Sequence, residues 1–303
     1  MALDVKIGIN PISWTNDDLP SLGGDTPLET ALSEGKSIGY QGFELGGKFP
    51  KEAAALRATL AGYGLACVSG WYSGGLAGRS VEEEIREVEG HLRLLTGNEA
   101  RVMVYGEVHD SIQGKMDVPL RERPRFSSQD AFKRYGERLT AFGRYLLNRG
   151  IRLAYHHHMG AYVQAPEDVD ALMSLTGEEV GLLFDTGHAA FGGADVVALL
   201  SKHVTRVCHV HCKDVRPAVL QTAHNRGWSF LQSVLNGVFT VPGDGGIDFA
   251  PVLDILDRAN YRGWLVVEAE QDPAVAPPYA YAKKGHDYLD GLVQARRGAR
   301  GGR

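Results

Sequence analysis

The chain has 303 residues, 44% of them hydrophobic, enough to bury a sizeable core as one large domain or two ordinary ones. Its 32 Lys and Arg against 37 Asp and Glu leave a formal charge of −5, which offers none of the basic surface that nucleic acid requires. Three cysteines (Cys67, Cys208, Cys212) make no disulfide framework, the start shows no signal segment, and no apolar run nears the roughly 18 residues of a membrane span. A soluble cytoplasmic protein with no membrane or nucleic-acid partner is expected.

The elements follow a repeating cycle. A strand over Val5 to Ile9 leads through a polar loop with Trp14, Asn16, Asp17 and Asp18 to Thr26-Pro27-Leu28-Glu29, a capping box with proline at the first helical position. The second strand, Gln41 to Leu45, carries Glu44, and its helix runs from about Pro50 to Gly62 or Gly64. The third, Leu65 to Ser69, precedes a Gly-rich loop through Trp71 and Gly75 and a helix capped by Ser80-Val81-Glu82-Glu83 that ends near Gly97. The fourth, Arg101 to Tyr105, ends in Gly106-Glu107 and is followed by an amphipathic helix from about Ser128 to Asn148.

The fifth to seventh strands are short apolar runs that each end in metal-binding residue types. Arg152 to Tyr155 leads into His156-His157-His158, Val180 to Phe184 into Asp185-Thr186-Gly187-His188, and Arg206 to Cys208 into His209-Val210-His211. Helices near Pro166 to Leu175 and Ala194 to His203 separate them. A long connection from Cys212 to Gly246, of the kind that is usually functional, holds a short helix around Trp228 to Leu235. A helix from Asp248 to Ala259, the strand Trp264 to Glu268 and a helix from Tyr279 to Ala295 complete the chain. Eight βα units without a composition break predict an α/β fold, a single (β/α)8 TIM barrel over residues 1–295, with a disordered Arg/Gly-rich tail at 296–303.

Parallel strands in such a barrel bring their C-terminal ends to one side. That makes Asp185, His211 and Glu268 neighbours, with His156 as a fourth ligand for a divalent ion. Mixed His and carboxylate ligation suits manganese, cobalt or zinc better than calcium. A strand-end His or Asp taken alone is commonly a hydrogen-bonded structural residue; it is the joint occurrence that marks a metal set. Alternation turns His157 away from His156 and His158, and packing is the default for His209. His158 and His188 lie just past the ligands and are candidates for touching a polar substrate and moving protons. Glu44 and Glu107 are candidates for binding hydroxyls, Trp14, Trp71 and Tyr72 for packing on a sugar-like ring, and Arg216 for clamping an anionic or enolate oxygen. Asp244, in Gly243-Asp244-Gly245-Gly246, reads as a turn residue that a closing loop could bring in.

Asp-x-x-His after the sixth strand, His-x-His leading to Lys-Asp after the seventh and Glu at the end of the eighth resemble the xylose-isomerase-like barrels. Within them, residues 10–18, 155–160, 184–189, 209–216 and 268–272 resemble the inosose dehydratase family of myo-inositol catabolism, and these motifs span nearly the whole chain. The resemblance implies loss of water from 2-keto-myo-inositol (scyllo-inosose) to give 3D-trihydroxycyclohexane-1,2-dione, with manganese or cobalt. It also associates glutathione with the activity, for which the sequence shows no site. Aligned strand by strand, it implies His156, Asp185, His211 and Glu268 as ligands. His156 stands where the related epimerases carry Glu, which removes one of two opposed carboxylates and disfavours two-base epimerisation.

The expected route is a metal-stabilised enediolate. Glu268 or a nearby His takes the α-proton, and His158 or His188 protonates the departing hydroxyl, with Glu44, Trp14, Arg216 and His188 contacting a cyclitol or keto-sugar. The alternative is a metal-dependent isomerase or epimerase of a keto-sugar or keto-inositol; a binding-only barrel and a multi-metal nuclease fit the ligand set and charge less well. Related barrels often associate, so a homo-oligomer is compatible with the resemblance.

Overall fold

The computed structural model describes residues 3–301. The strands in chain order are β1 (Asp4–Ile9), β2 (Gly42–Leu45), β3 (Ala66–Gly74), β4 (Val102–Glu107), β5 (Arg152–His156), β6 (Val180–Asp185), β7 (Val207–Cys212), β8 (Asp214–Val215), β9 (Phe239–Thr240) and β10 (Arg262–Val267). Eight of them close into a parallel barrel in the order β1-β10-β7-β6-β5-β4-β3-β2, while β8 and β9 pair antiparallel outside it. Closure comes from β1 and β10, which pair in register from Asp4 and Arg262 to Ile9 and Val267. The fold is the single (β/α)8 TIM barrel that the alternation of elements predicts.

Each barrel strand is buried on both faces, inward against its opposite neighbours and outward against helices, which is why the strands are continuous apolar runs. All six residues of β6 are buried. Inside the barrel Val104, Ala154 and Leu183 form a small apolar cluster with Trp71 packed against it, so the interior is filled below the strand ends. Among the described residues no helix is long and apolar enough to cross a membrane.

Several boundaries differ from the sequence reading for local reasons. Pro27 is extended (φ −62, ψ 148) and makes no side-chain cap, so the first helix starts one residue later, at Leu28, without the expected capping box. The Ser80 box does form, with Glu83. β3 continues through the expected loop, because Trp71 to Gly74 pair with Val104 to Glu107 of β4. A Cβ on Gly106 would lie 2.1 Å from the Trp71 ring, so only glycine there lets the indole lie across β4. The long connection after β7 is structured: β8 and β9 bracket helices Pro217–Arg226 and Phe230–Leu235. The last helix runs from Pro278 to Gly301, past the expected end at Ala295. Arg296, in the stretch expected to be disordered, bonds Asp254 and the Ala250 carbonyl; residues 302–303 lie outside the described residues.

Candidate active site

Four consecutive staves, β5, β6, β7 and β10, deliver the expected ligands to one place. Asp185 ends β6 and caps the short helix Thr186–Phe191, its Oδ1 accepting from the His188 amide at 2.8 Å. That leaves Oδ2 facing inward, 3.3 Å from His156 Nε2 and 3.4 Å from His211 Nδ1. The nearest Glu268 oxygen, Oε2, is 4.0 Å from the same His211 nitrogen. His157 points the other way, as alternation requires, and its Nε2 accepts from the Asp185 amide.

Glu44 explains how His211 is oriented. Its Oε2 takes Asn10 Nδ2 at 2.8 Å and lies 3.0 Å from His211 Nε2; its Oε1 takes His209 Nε2 at 2.7 Å and the Ser69 hydroxyl. With Nε2 given to Glu44, the Nδ1 lone pair of His211 converges with carboxylate oxygens of Asp185 and Glu268, and ligand atoms of these three residues lie within 4.8 Å of one another. Three groups of lone pairs aimed at each other suit a cation between them, or a proton on His211. His156 Nδ1 is buried without a hydrogen bond, and neither buried His211 nitrogen makes a well-aligned one. Burial alone would make His211 less basic, but Glu44, Asp185 and Glu268 outweigh it and raise it to about 10, so a proton is drawn to the point where the three side chains converge. His156, desolvated beyond what its bond to Asp185 offsets, is held well below the usual imidazole range and stays neutral, as a ligand must. Asp185, His211 and Glu268 stand close enough together to hold a divalent ion, His156, Asp185 and His188 form a second such group, and Glu44 is the carboxylate behind the His211 imidazole.

Sequence reasoning missed Lys213 and Glu270 as site residues. Lys213 Nζ is fully buried, 2.6 Å from Glu268 Oε2, 2.6 Å from Glu270 Oε2, 3.0 Å from His188 Nε2 and 3.7 Å from Asp185 Oδ2. Burial works against its charge, yet the three carboxylates keep it firmly protonated. Glu268 is itself raised to about 8 by burial, opposed by Lys213 and reinforced by Glu270. Glu270 is also buried, but Lys213 and His158 lower it below the ordinary carboxylate range. His158, 3.8 Å from Glu270 through Nε2, is raised despite burial by that carboxylate and by Asp18. The signal that would have found the pair is the alternation itself: His209, His211 and Lys213 share one side of β7 and its extension, as Glu268 and Glu270 do after β10.

These groups border a cavity of about 100 Å³ at the C-terminal mouth, lined by Asn10, Asp17, Asp18, Trp71, His156, His158, His211, Glu268 and Glu270, with Glu44 and Val104 at its base. Asp18 is held by Gln113 and raised by burial. A wider depression of about 570 Å³ opens at the opposite end among Arg57, Arg101 and Arg262, away from the ligand set.

Three expected substrate contacts are not on the cavity wall. Trp14 is 1% exposed, donates to Glu34 and packs on Phe43 in the core; Trp71 lines the cavity instead. Arg216 binds the Gly237 and Phe239 carbonyls, Thr240 and Asp244, pinning the long connection. Asp244 is held in turn by Lys284. His188 is fully buried behind His158 and Glu270, against Lys213 and the rings of Phe230 and Phe239. Tyr72 is core, and Glu107 is spent on the Ala77 and His109 amides and the Tyr105 hydroxyl. Glu44 does reach the cavity, with its oxygens already engaged.

A closed barrel with ligand-bearing strand ends defines a class, and the chain's relatives agree with it. The chain belongs to the xylose isomerase-like TIM barrel family, whose model matches residues 32–292. It is 51% identical over 297 residues to the rhizopine catabolism protein MocC of Rhizobium meliloti, covering 97% of this chain and 90% of that one. It is 44% identical over 286 residues to inosose dehydratase of Clostridium beijerinckii, covering 94% and 96%. Among solved structures it is similar to the IOLI protein with a binding zinc atom, with a TM-score of 0.67 at 15% identity over 96% of this chain and 99% of that one. The near-full-length likeness to several inosose dehydratases makes the chain an enzyme of the hydro-lyase class, a dehydratase.

Proposed function

We propose that the chain removes water from 2-keto-myo-inositol, giving 3D-trihydroxycyclohexane-1,2-dione, with manganese or cobalt held by His156, Asp185, His211 and Glu268. The observation that supports this reading is that His156, His211 and Glu268 line one cavity with His158, an imidazole whose basicity Glu270 raises. A bound divalent ion supplies Lewis-acid polarisation of the ketone and an adjacent hydroxyl. Glu268, steadied by Lys213, takes the proton on the carbon next to the ketone. The electron pair of that C–H bond forms a C=C bond to the next carbon, whose hydroxyl departs as water with a proton from His158. The enol left behind tautomerises to the second ketone, so substrate and product differ by one water. Trp71 offers an indole on the cavity wall for the apolar face of the ring, and Asp17, Asp18 and Asn10 offer acceptors and donors for its hydroxyls.

The test is mass spectrometry of the product after metal-stripped protein is reloaded with manganese or cobalt and given scyllo-inosose. Loss of water only in the loaded sample is expected. A new isomer of unchanged mass would replace this reading with the epimerase one, and no reaction would overturn the substrate.

A further inference from the structure

Lys213 Nζ is surrounded as a metal ion would be. Within 3.7 Å lie one oxygen each of Asp185, Glu268 and Glu270 and the Nε2 of His188, all from buried residues. Two of these four, Asp185 and Glu268, also belong to the proposed metal set with His211. Two cation positions that share two carboxylates have the layout of a two-metal centre, in which ions sit roughly 3.5–4 Å apart. Here the chain fills one of them with its own ammonium. The stem of Lys213 is fixed: its amide and carbonyl both bond the Thr186 hydroxyl, and Gly187 leaves room for it, since a Cβ there would lie 2.5 Å from Lys213 Cγ.

We propose that Lys213 is a positioning residue that occupies the second cation position of a latent two-metal centre and so holds the site to one ion. An ammonium has no open coordination position, so it cannot deliver a metal-bound hydroxide as a second ion would. It gives Glu268 a fixed counter-charge and leaves water out, which suits an elimination and disfavours hydrolysis. The proposal rests on the single-metal reading above.

The test counts manganese per chain by elemental analysis and by electron paramagnetic resonance on wild type, Lys213→Met and Lys213→Ala, each at saturating metal. Wild type and Lys213→Met, whose side chain still fills the space, are expected to hold one ion with an uncoupled signal; Lys213→Ala is expected to hold two with a spin-coupled signal. If Lys213→Ala does not fold without metal, it is refolded in manganese and counted in the same way. Two ions in wild type, or one in folded Lys213→Ala, would overturn the proposal while leaving the metal reading intact. No ion in wild type would overturn the metal reading, and this one with it.

Discussion

His158 and Glu44 both touch the cavity and both contact a partner of the opposite kind, yet they have different tasks. His158 is free to meet substrate, so His158→Gln is expected to lower kcat by roughly 10²- to 10⁴-fold while the manganese content stays unchanged. Wild-type turnover in that variant would remove it from the mechanism. Glu44 works through His211, so Glu44→Gln is expected to weaken metal binding about 10- to 100-fold, read by isothermal titration, and to lower activity only at limiting metal. The four proposed ligands each end an apolar run, a one-dimensional signal that a sequence can carry. His188 and Trp14 stand off the cavity wall although their sequence neighbours face it: His188 is buried against Glu270, and Trp14 turns into the core toward Glu34. Lys213 was passed over because a lysine is ordinarily exposed, and only its three carboxylate neighbours, distant in sequence, make its burial tolerable.

The elements that shape the site are short, and their joints are where substitutions should register. The turn from β6 into the helix Thr186–Phe191 packs so closely on Lys213 that Gly187→Ala would have to displace a buried, ion-paired stem. A cost of about 1–3 kcal/mol is expected in urea unfolding, with a rise in KM as Glu268 and Glu270 shift. The end of β4 holds a different constraint. Burial pushes Glu107 up to about 7 against the amides and hydroxyl that bond it. The folded state therefore binds a proton that the unfolded state releases near 4.5, so stability from this group is full below about pH 4.5 and is lost as pH rises through 7. The loss is about 3 kcal/mol. Glu107→Gln, less stable overall because it cannot accept from both amides, should show a fall in unfolding free energy between pH 4.5 and 8 that is smaller by that amount; an equal fall would put the shift elsewhere. Neither the Glu107 network nor the full length of β3 was legible, since glycines 70, 74 and 75 imitate a loop until the strand across from them is known.

At the scale of the whole molecule the barrel was legible because eight repeats of one pattern leave few topologies, whereas the cavity's contents depend on which staves end up adjacent. That adjacency has an energetic consequence. The proposed ligands come from β5, β6, β7 and the end of β10, four neighbouring staves, so an ion bound there joins half the barrel through its side chains. Binding to the folded chain alone at a hundredfold excess over Kd stabilises it by about 2.7 kcal/mol, or roughly 5 °C in Tm for a domain of this size. Melting of metal-stripped protein should therefore rise by about that much on adding manganese and fall back with a chelator. In Asp185→Asn the rise should vanish, because the residue that faces His156 and His211 together has lost its charge. A rise that survives in Asp185→Asn would show that manganese binds elsewhere, and the four staves would then be held by hydrogen bonds and packing alone.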